Sequence, residues 1–559
     1  MKISLSLILF ITCMMARNPD AVGKHGMVVS SHVLASEVGI NILKKGGNAI
    51  DAAIATGFAL SVVHPGAGNI GGGGFMVIRL ANGDVTSVDF REVAPSAAFR
   101  NMFLDDSMNV IQNKSWSTSW AAGVPGSVAG FGMAHEKYGK TKWKQLIRPA
   151  MKLAKDGFPL DFQNMSYFNH PYYQNYLSKD EETKKIFVKS DMYELNEIFY
   201  QKDLAKTLNR IAKKGWKEFY VGKTAEMINN CMQRTKGLIS MEDLKNYQPV
   251  ERIPITFTYR GYKIFSMPPA SSGGMAIAGI LNQLENIDMD SLKYHSAQHI
   301  HYVCESEKRV YADRSEFMGD MDFVSVPIEK LISDEYAQIR WASVDSFYAT
   351  SSSDITYGNI PFRYEESEET THYSIVDRWG NAVSVTTTIN GWFGNGIVVD
   401  DAGFLLNNEM DDFSMKPGVP NAYGLIGNVA NAIEPNKRML SSMSPTIVED
   451  ADGKLFLVIG SPGGSTIITT TAQIIMNVID FNMNIEDAVE SPRFHHQWLP
   501  DLIQLEDFGF QTETLRELKN RGHGIKHRTS MGEANCIQIM DDYLFGAADS
   551  RRNSHAIGY

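Results

Sequence analysis

Cysteine is scarce in this chain: four residues in 559, Cys13, Cys231, Cys304 and Cys536, too scattered for a disulfide framework or a metal knuckle. Long apolar runs are missing too. A membrane-spanning helix needs about 20 consecutive apolar residues, and no stretch reaches that length, so no span is expected. Positive charge is in deficit, with 53 Lys and Arg against 64 Asp and Glu, a net of -11. An acidic chain does not attract phosphate backbones, which disfavours a nucleic-acid binder. The surplus is uneven: from Thr370 onward 23 acidic residues face 13 basic ones. No G-x-S-x-G nucleophile elbow and no internal repeat is found. What is present is an ordinary globular composition, 43% hydrophobic and 21% charged. A length of 559 residues allows two or three domains, or one large fold with a generous core.

The N-terminus has its own character. Lys2 precedes an apolar run from Ile3 to Met15, broken by Ser4, Ser6 and Thr12 and closed by Arg17, Asn18, Pro19 and Asp20. A positive start, a short apolar middle and a polar exit read as a secretory signal over residues 1–16. Ala16 suits the cleavage position, although Met14 occupies the other small-residue site. Cys13 lacks the small neighbours that lipid attachment wants. A secreted or periplasmic protein is expected.

Along the chain, helix and strand signals are mixed. Ala35 to Lys45 has helical spacing and stops at Gly46-Gly47. Asn48 is placed to cap a second, Ala-rich helix from Ala49 to Val63. A glycine-rich turn, Gly66 to Gly74, leads into a hairpin of Phe75–Leu80 and Val85–Phe90 around Asn82-Gly83. Helical patterns dominate from Trp143 to Asn246. Strands are expected over Thr256–Phe265, and a helix over Gly273–Leu284. Tyr348 to Glu369 is mostly polar, with Ser351-Ser352-Ser353 and a Glu-rich run from Glu365 to Glu369, and reads as an exposed, cleavable linker. Beyond it, His372–Val376 and Ala382–Ile389 are β-branched-rich runs around Arg378-Trp379-Gly380. Leu455–Ile459 is an apolar strand ending at Gly460-Ser461-Pro462-Gly463-Gly464, and Thr466–Phe481 is a helix. The class is α/β or α+β with a large sheet core.

Two familiar motifs fail on context. Gly66-x-Gly68-x-x-Gly71 matches the dinucleotide fingerprint literally, but it follows a helix and precedes a hairpin. A tight turn with close backbone approach fits better. His295, His299, His301 and Cys304 suggest metal ligands, yet Ser296 stands where a zinc-protease motif has Glu, so a half-buried polar helix is the better reading.

The strongest signal is Glu369-Thr370-Thr371-His372-Tyr373-Ser374, at the border between the polar linker and a strand. Thr370 there could be an ordinary strand opener. A hairpin centred on Trp379, however, sets Thr370 opposite Thr388, where Cβ atoms stand ~5 Å apart. A second hydroxyl would then stand beside the first, and Asn390 would lie beyond Thr388 on the same face. Downstream lies a set suited to an amino acid bound by both its ends. Glu409 and Asp412 can take an α-ammonium; Ser441, Ser442 and Arg91 can take a carboxylate. Gly463 and Gly464 can offer bare N–H groups to a developing oxyanion. Asp411-Asp412 alone would pass for a solvated turn.

At these residues the chain resembles the γ-glutamyltransferases (γ-glutamyltranspeptidases). The matching stretches are Pro65–Phe75, Asp89–Glu92, Ala312–Ser315, Thr370–Asp377, Leu406–Ser414, Leu440–Thr446 and Gly460–Ser465. The resemblance implies an N-terminal-nucleophile hydrolase fold, a four-layer αββα sandwich. It also implies a precursor that cuts itself between Glu369 and Thr370. Residues 17–369 would form a large subunit and 370–559 a small one, the two sharing one core as a heterodimer. Thr370 would be the nucleophile, Thr388 its support and Asn390 a substrate contact. Arg91, Ser441 and Ser442 would hold the α-carboxylate, Glu409 and Asp412 the α-amino group. Gly463 and Gly464 would form the oxyanion hole, and Tyr423 would belong to a lid. Glu409 stands where some members have an amide, and its charge suits an ammonium.

The expected substrates are glutathione or other γ-glutamyl compounds, with water, amino acids or peptides as acceptors. No cofactor, metal or nucleic acid is called for. Three alternatives remain: an acylase or poly-γ-glutamate transferase on the same fold, an uncut secreted binding protein, and, more remotely, a dinucleotide oxidoreductase.

Overall fold

The computed structural model describes residues 18–289, 291–356 and 370–559. The signal segment, Cys13 and Glu369 lie outside the described residues. Two seven-stranded sheets form the centre. One runs, in spatial order, 555–558, 26–30, 371–377, 382–388, 73–79, 85–89 and 250–252; the other runs 21–23, 543–548, 535–540, 455–459, 446–449, 262–266 and 255–259. Neighbours within both sheets pair antiparallel.

Three apolar clusters define the layers. Met27, Val29, Val77 and Val376 of the first sheet meet Phe265, Ile447, Val458 and Ile537 of the second, so the sheets face each other. On the outer face of the first sheet, Val28, Met76, Ile78, Tyr373 and Ile375 pack under helices such as Ala49–Val63. On the outer face of the second, Ile264, Val448, Leu457 and Ile459 pack under helices Gly273–Leu284, Ala297–Phe317 and Thr466–Ile479. Val28 faces one cluster while Met27 and Val29 face the other, because successive strand side chains alternate. The result is helix, sheet, sheet, helix, an α+β sandwich as expected. Each sheet interleaves strands from before residue 356 and after residue 370, so the two stretches share one core.

Local chemistry explains several boundaries. Asn48 caps the Ala49–Val63 helix, its side chain accepting from Asp51 N while the Asp51 carboxylate accepts from Asn48 N. All 15 residues of that helix are buried, which its small alanines permit. The glycine-rich turn is packed against backbone, as its composition predicts. A Cβ on Gly72 would stand 2.0 Å from the Thr388 carbonyl oxygen. The described cysteines, Cys231, Cys304 and Cys536, are buried and free. Among the described residues no helix is long and apolar enough to cross a membrane.

Candidate active site

The site is built on the hairpin of strands Thr371–Asp377 and Ala382–Thr388. Its register runs from Thr371 opposite Thr387 to Val376 opposite Ala382. This is the register the sequence arithmetic predicts, and Thr370 and Thr388, one residue beyond its last pair, line one cavity. Asp377 fixes the turn by accepting from Trp379 N at 2.9 Å and Asn381 N at 3.0 Å. Its other oxygen accepts from Ala49 N at 2.9 Å and so docks the buried helix. Thr388 is held from behind: its carbonyl accepts from Asn69 Nδ2 at 2.8 Å, and its hydroxyl oxygen accepts from Asn390 N at 2.7 Å. Asn390 sits at φ +68 and donates through Nδ2 to the Asn408 carbonyl at 2.9 Å.

Thr370 and Thr388 open onto a cavity of about 310 Å³, whose wall also carries Arg91, Arg314, Asn390, Glu409, Asp412, Tyr423, Ser441, Ser442 and Gly464. Ten of the eleven residues expected of the mature site therefore meet in one place. The exception is Gly463, which stands directly behind Gly464 at the start of helix Thr466–Ile479 and does not line the wall. Its carbonyl accepts from Thr466 N at 3.0 Å and from Thr466 Oγ1 at 2.8 Å. The positive end of this helix points its first turn at the cavity, a setting that favours negative charge.

Opposite charges expected to grip two ends of a ligand are joined to each other. The buried Arg91 guanidinium donates to Glu409 and, at 2.5 Å, to Asp412 Oδ2, with Glu92 3.6 Å away. Buried charges must be paired to be tolerated. Burial pushes the carboxyls of Glu92, Glu409 and Asp412 up from the usual range, and the Arg91 charge draws them back down. Asp411 and Asp412 do not form a solvated turn. Asp411 is buried, accepts from Ser115 Oγ at 2.6 Å and from Ala422 N at 2.9 Å, and is pushed up to about 6 by desolvation. Asp412 accepts from Asn421 Nδ2 at 3.1 Å. One short 3₁₀ turn, Glu409–Asp412, thus serves both Arg91 and the segment carrying Tyr423.

The serine pair is fixed through its backbone. The Ser441 carbonyl accepts from Ser272 N at 2.8 Å and Ser272 Oγ at 2.7 Å. Ser442 Oγ accepts from Arg314 Nη2 at 3.3 Å. Arg314 and Asp411 are the site residues that sequence reasoning missed. Arg314 falls in a stretch that matches the family, but nothing local marks it as facing a cavity. His295 and His299 belong to a buried aromatic cluster with Tyr294 and Phe510, and burial lowers His299 to about 4. His301 bonds to His523 at 2.8 Å while neighbouring Glu305 is engaged by Lys308 and Arg309, so these ligand atoms are already occupied.

Comparison with known proteins follows the same lines. The family model for Gamma-glutamyltranspeptidase matches residues 35–559. The glutathione hydrolase proenzyme of Escherichia coli (strain K12) is 50% identical over 531 residues, 94% of this chain and 90% of the relative. That of Pseudomonas sp. (strain A14) is 45% identical, over 96% and 94%. Among solved structures, a cephalosporin acylase from Bacillus halodurans superposes with a TM-score of 0.85 at 26% identity, covering 97% of each chain. A chain of Helicobacter pylori gamma-glutamyltranspeptidase gives a TM-score of 0.57 at 48% identity, covering 58% of this chain and 94% of its own.

Proposed function

The chain belongs to the gamma-glutamyltranspeptidase family and is a γ-glutamyltransferase made as a self-processing precursor, and we propose that Thr370 carries both its processing and its turnover. The observation behind this reading is that Thr370 and Thr388 share the wall of a cavity with Arg91, Glu409 and Asp412.

A threonine hydroxyl needs a base to become a nucleophile, and a threonine inside a chain has no amine of its own. In the precursor, the Thr370 hydroxyl attacks the Glu369 carbonyl. The peptide bond becomes an ester, the Thr370 amine is freed, and water hydrolyses the ester. Cleavage builds the base: an α-amine has a pKa near ~8 and can take the proton of its own hydroxyl. The products are a large subunit ending at Glu369 and a small one beginning at Thr370, held together by the shared core. Residues 1–16 would direct the precursor out of the cytoplasm.

In turnover, the same oxygen attacks the γ-carbonyl of a γ-glutamyl amide such as glutathione. The amine leaves with a proton, and a γ-glutamyl ester remains on Thr370. Water then yields glutamate, or an amino acid or peptide yields a new γ-glutamyl product. Gly464 N–H, with Gly463 behind it, stabilises the tetrahedral oxyanion at the helix N-terminus. Reaction at the γ- rather than the α-carbonyl requires the α-ammonium and α-carboxylate to be anchored at a set distance from Thr370. Glu409, Asp412 and Asn390 take the ammonium; Arg91, Ser441 and Ser442 take the carboxylate.

N-terminal sequencing tests the reading directly. The purified protein should give a chain beginning at Thr370, and Thr370→Ala should give one uncut, inactive chain. An active wild-type protein continuous across residues 369–370 would overturn it. Release of glutamate from glutathione but not from a γ-glutamyl polymer would separate it from a polymer transferase on the same fold.

A further inference from the structure

Arg91 is not the only guanidinium at the cavity. Arg314, on helix Ala297–Phe317, is buried and lines the same wall. Its situation is the reverse of Arg91's. Arg91 is saturated by Glu409 and Asp412. Among the described residues, Arg314 has no carboxylate within ion-pair distance. The acid whose charge reaches it is Asp412, which is already bonded to Arg91 and Asn421. Burying a cation without a counter-ion is strongly unfavourable, and burial lowers the Arg314 pKa from its ordinary value.

Two hydroxyls orient this cation without neutralising it. Nε donates to Ser272 Oγ at 2.9 Å, and Ser272 Oγ in turn donates to the Ser441 carbonyl at 2.7 Å. Nη2 donates to Ser442 Oγ at 3.3 Å. Since Ser442 accepts from Arg314, its own O–H is left to donate into the cavity. Among the described residues Nη1 makes no hydrogen bond. A fixed, uncompensated guanidinium beside an inward-facing hydroxyl is a site for an anion.

We propose that Arg314 is a second cation of the α-carboxylate subsite, binding the carboxylate of the γ-glutamyl donor together with Ser442. This rests on the γ-glutamyl reading above and goes beyond it by assigning a residue to that carboxylate. Arg91 then need not abandon both acids when substrate enters, and Glu409 and Asp412 remain ordered for the ammonium. The donor class selected is a γ-acyl group bearing a free α-carboxylate, with the charge of Arg314 setting the discrimination.

The test compares L-γ-glutamyl-p-nitroanilide with 4-aminobutyryl-p-nitroanilide, which lacks only the α-carboxylate, in the processed wild type and in Arg314→Gln, Arg314→Lys and Ser272→Ala. Losing one charge-assisted hydrogen bond predicts a KM for the γ-glutamyl donor raised about 10- to 100-fold in Arg314→Gln, with kcat within about 3-fold. The kcat/KM for the decarboxylated donor should stay within about 3-fold, so the preference between donors collapses. Arg314→Lys should fall between, and Ser272→Ala, which only unpins Nε, should show a smaller selective rise. Equal losses on both donors, or no loss on either, would overturn the assignment; Ser272→Ala keeps the test decisive if the arginine variants do not fold. A wild type that fails to turn over the γ-glutamyl donor would instead sink the underlying reading.

Discussion

A Cβ on Gly464 would stand 2.7 Å from Cδ1 of the Tyr423 ring. Tyr423 and the cavity-lining glycine are therefore fitted to each other, and the glycine also sits at φ +54, where other residues are strained. Gly464→Ala should lower kcat/KM at least about 10-fold, through a displaced ring and a strained N–H. Tyr423→Ala alone should cost less. In the double variant the ring clash is gone, so the losses should fall short of adding. Strict additivity of the two single effects, measured as kcat/KM for four proteins, would mean that the ring and the glycine act independently.

Thr388 gives a sharper contrast because its hydroxyl has a defined partner. Its oxygen accepts from Asn390 N, and it lines the same cavity as Thr370. Thr388→Ser keeps that oxygen and should retain kcat within about 3-fold. Thr388→Val is close in shape but leaves a buried N–H without an acceptor, a cost of about 1–3 kcal/mol. It should slow turnover by roughly 10- to 100-fold, and it should also slow the appearance of two fragments on a denaturing gel. A valine variant as fast as the serine variant would remove Thr388 from the mechanism.

The same hairpin shows what was legible in the sequence. Its register follows from period-two alternation and one turn, both local, so Thr370, Thr388 and Asn390 could be set side by side by arithmetic. The Asn48–Asp51 cap is local as well. Arg91, Glu409, Ser441 and Ser442 reach the cavity through pairings between segments hundreds of residues apart; their complementary chemistry suggests a set, but no local pattern places them together. Arg314 stayed hidden because its helix is buried on more than one side, which erases the amphipathic stripe that would show where it points. Asp411-Asp412 taken alone passes for a solvent turn, so Asp412 is marked only by the set it joins and nothing marks Asp411. The order of strands in the sandwich was not legible, since residues 21–23 pair with 544–546 and no local pattern carries that.

Adjacent acids with different partners should fail differently. Asp412 bonds Arg91 and Asn421, whereas Asp411 bonds Ser115 and the backbone N–H of Ala422, next to Tyr423. Asp412→Ala should lower γ-glutamyl kcat/KM by about 100-fold or more, because a buried charge pair is broken, while self-cleavage persists. Asp411→Ala should cost under about 10-fold on small donors and should admit bulkier γ-glutamyl chains by releasing the Tyr423 segment. Kinetics on glutathione and on a longer γ-glutamyl peptide decide the matter. Identical profiles for the two variants would contradict the division of labour within the turn.

The crowding of acids around Arg91 predicts an unusual pH response. Glu92, Glu409 and Asp412 are all held above the ordinary carboxylate range near ~4, first by burial. As pH falls through the raised range they take up protons, the substrate ammonium loses its anionic partners, and KM should climb well above pH 4. Folding stability moves the other way. A carboxyl whose folded pKa is raised holds its proton where the unfolded chain has released it, so the stabilisation is present at low pH and is lost as pH rises through the same window. Glu409→Gln separates the two effects. It removes a carboxyl held well above its ordinary range, so the acid limb of kcat/KM, left to Glu92 and Asp412, should shift to lower pH. One charge-assisted contact to the ammonium is lost as well, raising KM about 10-fold at pH 8. A pH profile of kcat/KM for wild type and Glu409→Gln reads both; an acid limb that stays in place, or moves to higher pH, would show that these acids do not titrate as one cluster.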